Sequence, residues 1–161
     1  LLLLLLLPIF FGGCGVYSFS GASIEGKSIR FSTLDNHASN VMPTLSATLT
    51  DKIRSRILSQ TGLTPLNAPD ADYDISGAIT SYVITVSALQ NTQVASQNRL
   101  SITINIVFKN RVNPKADFTQ AFTQFSDFPA TQNVQQVQDK LIDDIGTRLA
   151  DDVFNKAFVN W

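Results

Sequence analysis

Leu100, Ile102, Ile104, Ile106 and Phe108 alternate with Ser101, Thr103, Asn105 and Lys109. Successive side chains of a strand point to opposite faces, so this run has one wholly apolar face and one largely polar face. A sheet built around it must be covered on one side and open on the other, the usual state of antiparallel sheets. Two segments can supply the cover. Met42, Leu45, Leu49, Ile53 and Ile57 recur at intervals of three and four, which predicts an amphipathic helix over 43–60, with Pro43 in its first turn and Gly62 just past its end. Val134, Val137, Leu141, Ile145, Leu149 and Val153 make a second stripe, predicting a helix over 133–160. Gly146 inside it costs ~1 kcal/mol against Ala and marks a point of local bending.

Further strands are read at 27–33, 73–87 and 117–128, the last built from Phe118, Phe122 and Phe125. In the second, a long strand or strand pair, apolar parity runs through Tyr73, Ile75 and Ile79 and then switches to Tyr82, Ile84 and Val86, which predicts a bulge or a sheet bend near Ser81. Loops and turns are expected at 35–40, 63–70, 89–98 and 113–115. The order β-α-β-β-β-α gives an α+β two-layer sandwich, with a four-stranded, mostly antiparallel sheet and both helices on one face. One domain, 27–161, holds all of it.

The N-terminus has a different character. Residues 1–13, LLLLLLLPIFFGG, carry no charge and no helical or strand period. They are shorter than the ~20 residues of a spanning helix and match the apolar stretch of a secretory signal. Phe11-Gly12-Gly13-Cys14 resembles the lipobox of bacterial lipoproteins. Small residues admit the signal peptidase and the thiol takes up diacylglycerol. The expectation is a mature chain lipidated at Cys14, followed by a tether over 14–26. Two or three acyl chains, at ~0.8 kcal/mol per buried methylene, make a stable membrane anchor. Gly15 in place of an inner-membrane retention Asp points to the outer membrane.

Twelve basic and thirteen acidic residues leave a net charge of −1, which provides no field for nucleic acid. One Cys and one His exclude a disulfide framework, a Cys-rich zinc site and most catalytic sets. His37 falls in a polar loop beside Asp35 and Asn36 and reads as solvated. Asp143-Asp144 and Asp151-Asp152 lie within three or four residues of Lys140, Arg148 and Lys156, the pattern of a salt-bridged helix face rather than a metal site. Lys52, Arg54 and Arg56 are spaced by two on a helix and read as surface. No catalytic residue, metal ligand or cofactor site is expected. Arg99, Lys109 and Arg111 share strand parity with Ser101, Thr103 and Asn105. They put three cations on the open sheet face, suited to phosphate or carboxylate groups.

With these segments in place, residues 14–161 resemble the lipopolysaccharide-assembly lipoprotein family, LptE. The likeness rests on CGVYSFSGASI from Cys14, Asn98-Arg99-Leu100, FTQAFTQFSDFPA from Phe118, and DVFNKA from Asp152. It implies a four-stranded sheet with two helices and a non-enzymatic role. It also implies an outer-membrane lipoprotein on the periplasmic side that plugs and helps assemble the LptD-type β-barrel and contacts lipopolysaccharide through basic side chains. Arg99, Lys109 and Arg111 are the candidates for that contact, on strand parity alone. The alternative is a periplasm-facing lipoprotein that binds a lipid or other amphiphile by itself.

Overall fold

The computed structural model describes residues 24–39, 42–87 and 96–159. The expected signal at 1–13, Cys14, most of the tether and most of the 89–98 turn lie outside the described residues. In chain order the elements are β1 (Ser28–Phe31), β2 (Asp35–Asn36), α1 (Leu45–Thr61), β3 (Thr64–Pro65), β4 (Tyr73–Ser87), β5 (Gln97–Asn110), β6 (Phe118–Pro129) and α2 (Val134–Phe158). A single 3₁₀ turn, Pro114–Ala116, joins β5 to β6.

β5 forms the spine. It pairs antiparallel with β4 on one side, from Tyr73↔Asn110 to Ser87↔Gln97, and with β6 on the other, from Phe108↔Phe118 to Gln97↔Pro129. The register of β4 shifts between Ile79 and Ser81, where its apolar parity changes, so Thr80 is the extra residue of a bulge. Gly77 permits close approach of β5, because a Cβ there would lie 2.1 Å from the Asn105 carbonyl oxygen.

The sheet is wider and less uniform than the sequence suggests. Among the described residues it has six strands in the order β3-β1-β4-β5-β6, with β2 also pairing with β4, and it is mixed. β1 runs parallel to β4, Ile29 opposite Tyr73 and Phe31 opposite Ile75, and β3 and β2 add further parallel pairs. The expected four-stranded, mostly antiparallel sheet is therefore corrected. The chain leaves β1, crosses through α1 and returns in the same direction, and a helical crossover of that kind makes parallel neighbours. β2 and β3 have two residues each, too few to show an alternation, and β3 contains Pro65 at the sheet edge.

The helices form where their spacing places them, except that α1 begins at Leu45 with Thr44 at its N-cap, so Pro43 precedes the helix instead of lying in its first turn. α1 buries Leu45, Leu49, Ile53 and Ile57, and Gly62 ends it at φ 65°, its N–H reaching the Leu58 carbonyl. α2 starts at Asn133, whose side chain accepts from the Gln135 N–H at 3.1 Å, and buries Leu141, Ile145, Leu149 and Val153. Both stripes and the even-numbered residues of β5 belong to one core, in which Leu100, Ile102, Ile104, Ile106 and Phe108 are fully buried. Gly146 brings the helices close: a Cβ there would sit 2.7 Å from Lys52 Cδ and 3.1 Å from Leu49 Cδ2. Among the described residues no helix is long and apolar enough to cross a membrane.

Candidate interaction surface

The odd-numbered residues of β5 stand on the uncovered face, each between two neighbours fixed by register. Thr103 lies between Ser81 and Thr123, and its hydroxyl is 2.9 Å from that of Thr123. Ser101 lies between Val83 and Phe125, and Arg99 between Thr85 and Asp127. Hydroxyls and amides dominate the middle of this face, and charges gather at its two ends.

Arg99 occupies one end. Its Nε and Nη2 donate to the two carboxylate oxygens of Asp127 at 2.7 and 2.9 Å, and its guanidinium carbon lies 3.8 Å from the Phe125 ring centroid. A planar fork suits a carboxylate on one edge and an aromatic face beneath. The hydrogen bond from Arg99 holds the Asp127 carboxyl below the usual carboxylate range. Lys109 and Arg111 occupy the other end. Lys109 Nζ donates to Asp117 Oδ2 at 2.9 Å, Asp117 also accepts from the Asn110 N–H at 2.7 Å, and Arg111 donates to the Pro69 carbonyl. The Asn110 N–H first, and Lys109 second, lower the Asp117 pKa. Arg30 and Asp74 form a further ion pair there, Asp74 lying opposite Lys109.

The three sequence candidates thus share a face but not a patch. Ten residues of strand put Arg99 and Lys109 about 33 Å apart. Lys109 and Arg111 stand at one end on separate partners, Asp117 and the Pro69 carbonyl, and Arg99 stands at the other with Asp127 and Phe125. These two partners are invisible to strand parity on β5, because they become neighbours only through the β5–β6 register.

The other candidates resolve into packing. Asp144 pairs with Lys140 along α2, as the spacing predicts. Asp143 and Asp151 instead reach α1, meeting Lys52 Nζ at 2.6 Å and Arg56 Nε at 2.7 Å, while Asp152 accepts from Gln124. Arg54 pairs with Asp51, and Arg148 donates to the Phe125 carbonyl on the outer edge of β6. Asp51, Lys52, Arg56 and Asp151 line an open groove of about 590 Å³ between the helices, together with Thr48, Ser55, Thr147 and Ala150. His37 is exposed just after β2, its N–H donating to the Ile79 carbonyl. Among the described residues no three His, Cys, Asp or Glu side chains converge.

Several solved structures share this architecture. A minor lipoprotein of Acinetobacter baumannii is similar at 16% identity and TM-score 0.55, over 83% of this chain and 93% of that one. The hypothetical protein CT253 of Chlamydia trachomatis is similar at 9% and 0.56, over 84% and 99%. Uncharacterized lipoprotein B of Nitrosomonas europaea is similar at 10% and 0.51, over 81% of each. At such identities the likeness is one of fold. No curated protein matches the chain in sequence. The family model described as LptE, lipopolysaccharide-assembly, matches residues 26–157. That span runs from just before β1 almost to the end of α2, and the chain accordingly belongs to the LptE lipopolysaccharide-assembly family.

Proposed function

We propose that this protein is an outer-membrane lipoprotein of the lipopolysaccharide transport machinery. Acyl chains on Cys14 hold it at the periplasmic side, where it plugs and assists assembly of an LptD-type β-barrel. The observation that carries the reading is the family match across the whole folded domain. The architecture supports it. A helix-backed sheet with an open face of hydroxyls, amides and paired charges suits the polar lumen of a wide barrel. Family membership also supports a non-enzymatic role.

Contact with lipopolysaccharide is proposed at two separate positions on the open face, Arg99 at one end and Lys109 with Arg111 at the other. Each cation is engaged with a carboxylate or carbonyl, so an incoming phosphate competes for an occupied donor. Carriage of an amphiphile by the protein alone would need an apolar cavity of a few hundred Å³. Among the described residues, the groove between α1 and α2 carries the charged Asp51, Lys52, Arg56 and Asp151 beside Thr48, Ser55, Thr147 and Ala150.

The test is co-purification of the full lipidated protein from detergent-solubilised envelopes, with mass spectrometry of what accompanies it. A large β-barrel in roughly equal amount is the expected result. An unacylated protein with no barrel companion refutes the proposal.

A further inference from the structure

Among the described residues the sheet has three free edges, and two are guarded. β3 closes one side with two residues, one of them Pro65. The outer edge of β6 receives Arg148, which donates to the Phe125 carbonyl. Short edge strands, proline and inserted cations are the usual means by which proteins block strand addition. The third edge is the distal half of β4. β1 pairs with β4 at Tyr73–Ile75 and β2 at Ala78–Ile79; beyond the Thr80 bulge no described strand lies on that side.

The register shows which groups are left open. Ser96 accepts from the Ala130 N–H, so even-numbered residues of β5 bond towards β6 and odd-numbered ones towards β4. Thr103, Ser101 and Arg99 therefore engage Ser81, Val83 and Thr85. Tyr82, Ile84 and Val86 aim their N–H and C=O groups outward, and among the described residues nothing takes them up. The segment Tyr82-Val83-Ile84-Thr85-Val86 contains no charge, no proline and no glycine. Val83, Ile84 and Val86 are 45%, 38% and 73% exposed. An uncharged, β-branched, exposed edge with free backbone groups is a template for another strand.

We infer that this edge pairs antiparallel with the same segment of a second copy of the chain, about a two-fold axis at Ile84. The sequence is self-complementary in that register. Tyr82 meets Val86 of the other copy and Ile84 meets Ile84 on the face that carries the core, while Val83 meets Thr85 on the open face. Every cross-strand pair is apolar or β-branched and none opposes like charges. Tyr82, Ile84 and Val86 are the residues whose backbone groups point outward, so the three pairs they form are hydrogen-bonded ones. Two-fold symmetry also makes the contact self-limiting, since pairing consumes the edge in both copies. A single strand pair buries less than the ~1,200 Å² at which stable interfaces begin, so the dimer forms and dissociates with concentration.

Sedimentation of the full chain in detergent tests the pairing. The expected result is a monomer that becomes a dimer as protein concentration rises, and loss of that dimer in Ile84→Lys, which sets two cations face to face at a position 38% exposed. Circular dichroism on Ile84→Lys confirms that the fold is kept. Ile84→Cys gives a second readout: it should form a disulfide between copies faster than Val112→Cys, a comparably exposed position outside the edge. A monomer at every concentration, with Ile84→Cys no faster than Val112→Cys, overturns the inference. So does a dimer that persists in Ile84→Lys, which places the contact elsewhere or in a shared micelle.

Discussion

Ser28 and Asp72, 44 residues apart, clasp one another in both directions. The Ser28 N–H and hydroxyl each lie 3.0 Å from Asp72 Oδ2, and the Asp72 N–H lies 3.0 Å from Ser28 Oγ. The Lys27 N–H adds a third bond to the same carboxylate oxygen at 2.7 Å. The first residue of β1 is thereby fastened to the residue just before β4, next to the Ile29–Tyr73 pair where their parallel pairing begins.

That clasp makes stability acid-sensitive. Hydrogen bonds from the Lys27 and Ser28 N–H groups hold the Asp72 carboxyl below its ordinary 3.8. Asp117, Asp127 and Asp143 are lowered too, chiefly by the Asn110 N–H, Arg99 and Lys52 respectively. A carboxyl that binds its proton less tightly folded than unfolded stabilises the fold above the unfolded value, and the benefit is lost as pH falls through the lowered one. Urea midpoints should hold steady from neutral pH down to about pH 5 and drop below about pH 4. Asp72→Ala should lower the midpoint at neutral pH and soften the acid drop. An acid limb as steep in Asp72→Ala as in the parent chain contradicts this assignment.

Thr50 is the one buried polar side chain among the described residues, at 5% exposure. Its hydroxyl accepts from the Leu34 N–H at 3.0 Å and donates to the Ser46 carbonyl at 2.6 Å, joining the β1–β2 segment to α1. Thr50→Val keeps the shape and strands the Leu34 N–H, so chemical denaturation should show a loss of about 1–3 kcal/mol. Thr50→Ser keeps the hydroxyl and should lose less.

Gly146 separates helix propensity from packing. Ala there gains about 1 kcal/mol of helix propensity, offset by displacement of the Lys52 side chain, so Gly146→Ala should fall within about 1 kcal/mol of the parent. Gly146→Val adds bulk against Leu49, where nothing can swing clear, and should cost about 1–3 kcal/mol by the same measurement. Equal stability of the two variants refutes the close contact between α1 and α2.

Charge reversal examines the proposed lipopolysaccharide contacts. Arg99→Glu and Lys109→Glu should each weaken binding in a titration with purified lipopolysaccharide. Their effects should add, because positions about 33 Å apart with no shared partner act independently. Unchanged affinity in a variant that also carries Arg111→Glu discards these three residues without touching the family assignment.

What the sequence discloses and what it conceals divides along a physical line. The β5 stripe, the two helical stripes, the Gly62 stop and the parity change at the bulge all come from periodicity within one segment, and each is where the sequence puts it. The parallel placement of β1 depends on the path of α1 across the sheet, which no local pattern encodes. β2 and β3 are shorter than one full alternation. The candidate surface fails in the same way: strand parity correctly puts Arg99 on the open face, but Asp127 and Phe125 become its neighbours only once β6 is laid in register. Asp143 and Asp151 likewise look like members of a local ladder until α1 arrives beside them.

The extra residue at Thr80 also divides the molecule mechanically. On one side of it the sheet is buttressed by β1, β2 and β3, and on the other, among the described residues, it consists of β4, β5 and β6. Amide protons along the single strand β5 should therefore exchange on a gradient, slowest from about Ile104 to Phe108 and fastest towards Gln97. That gradient would mark the body as a stiff haft and the far end as a thinner blade.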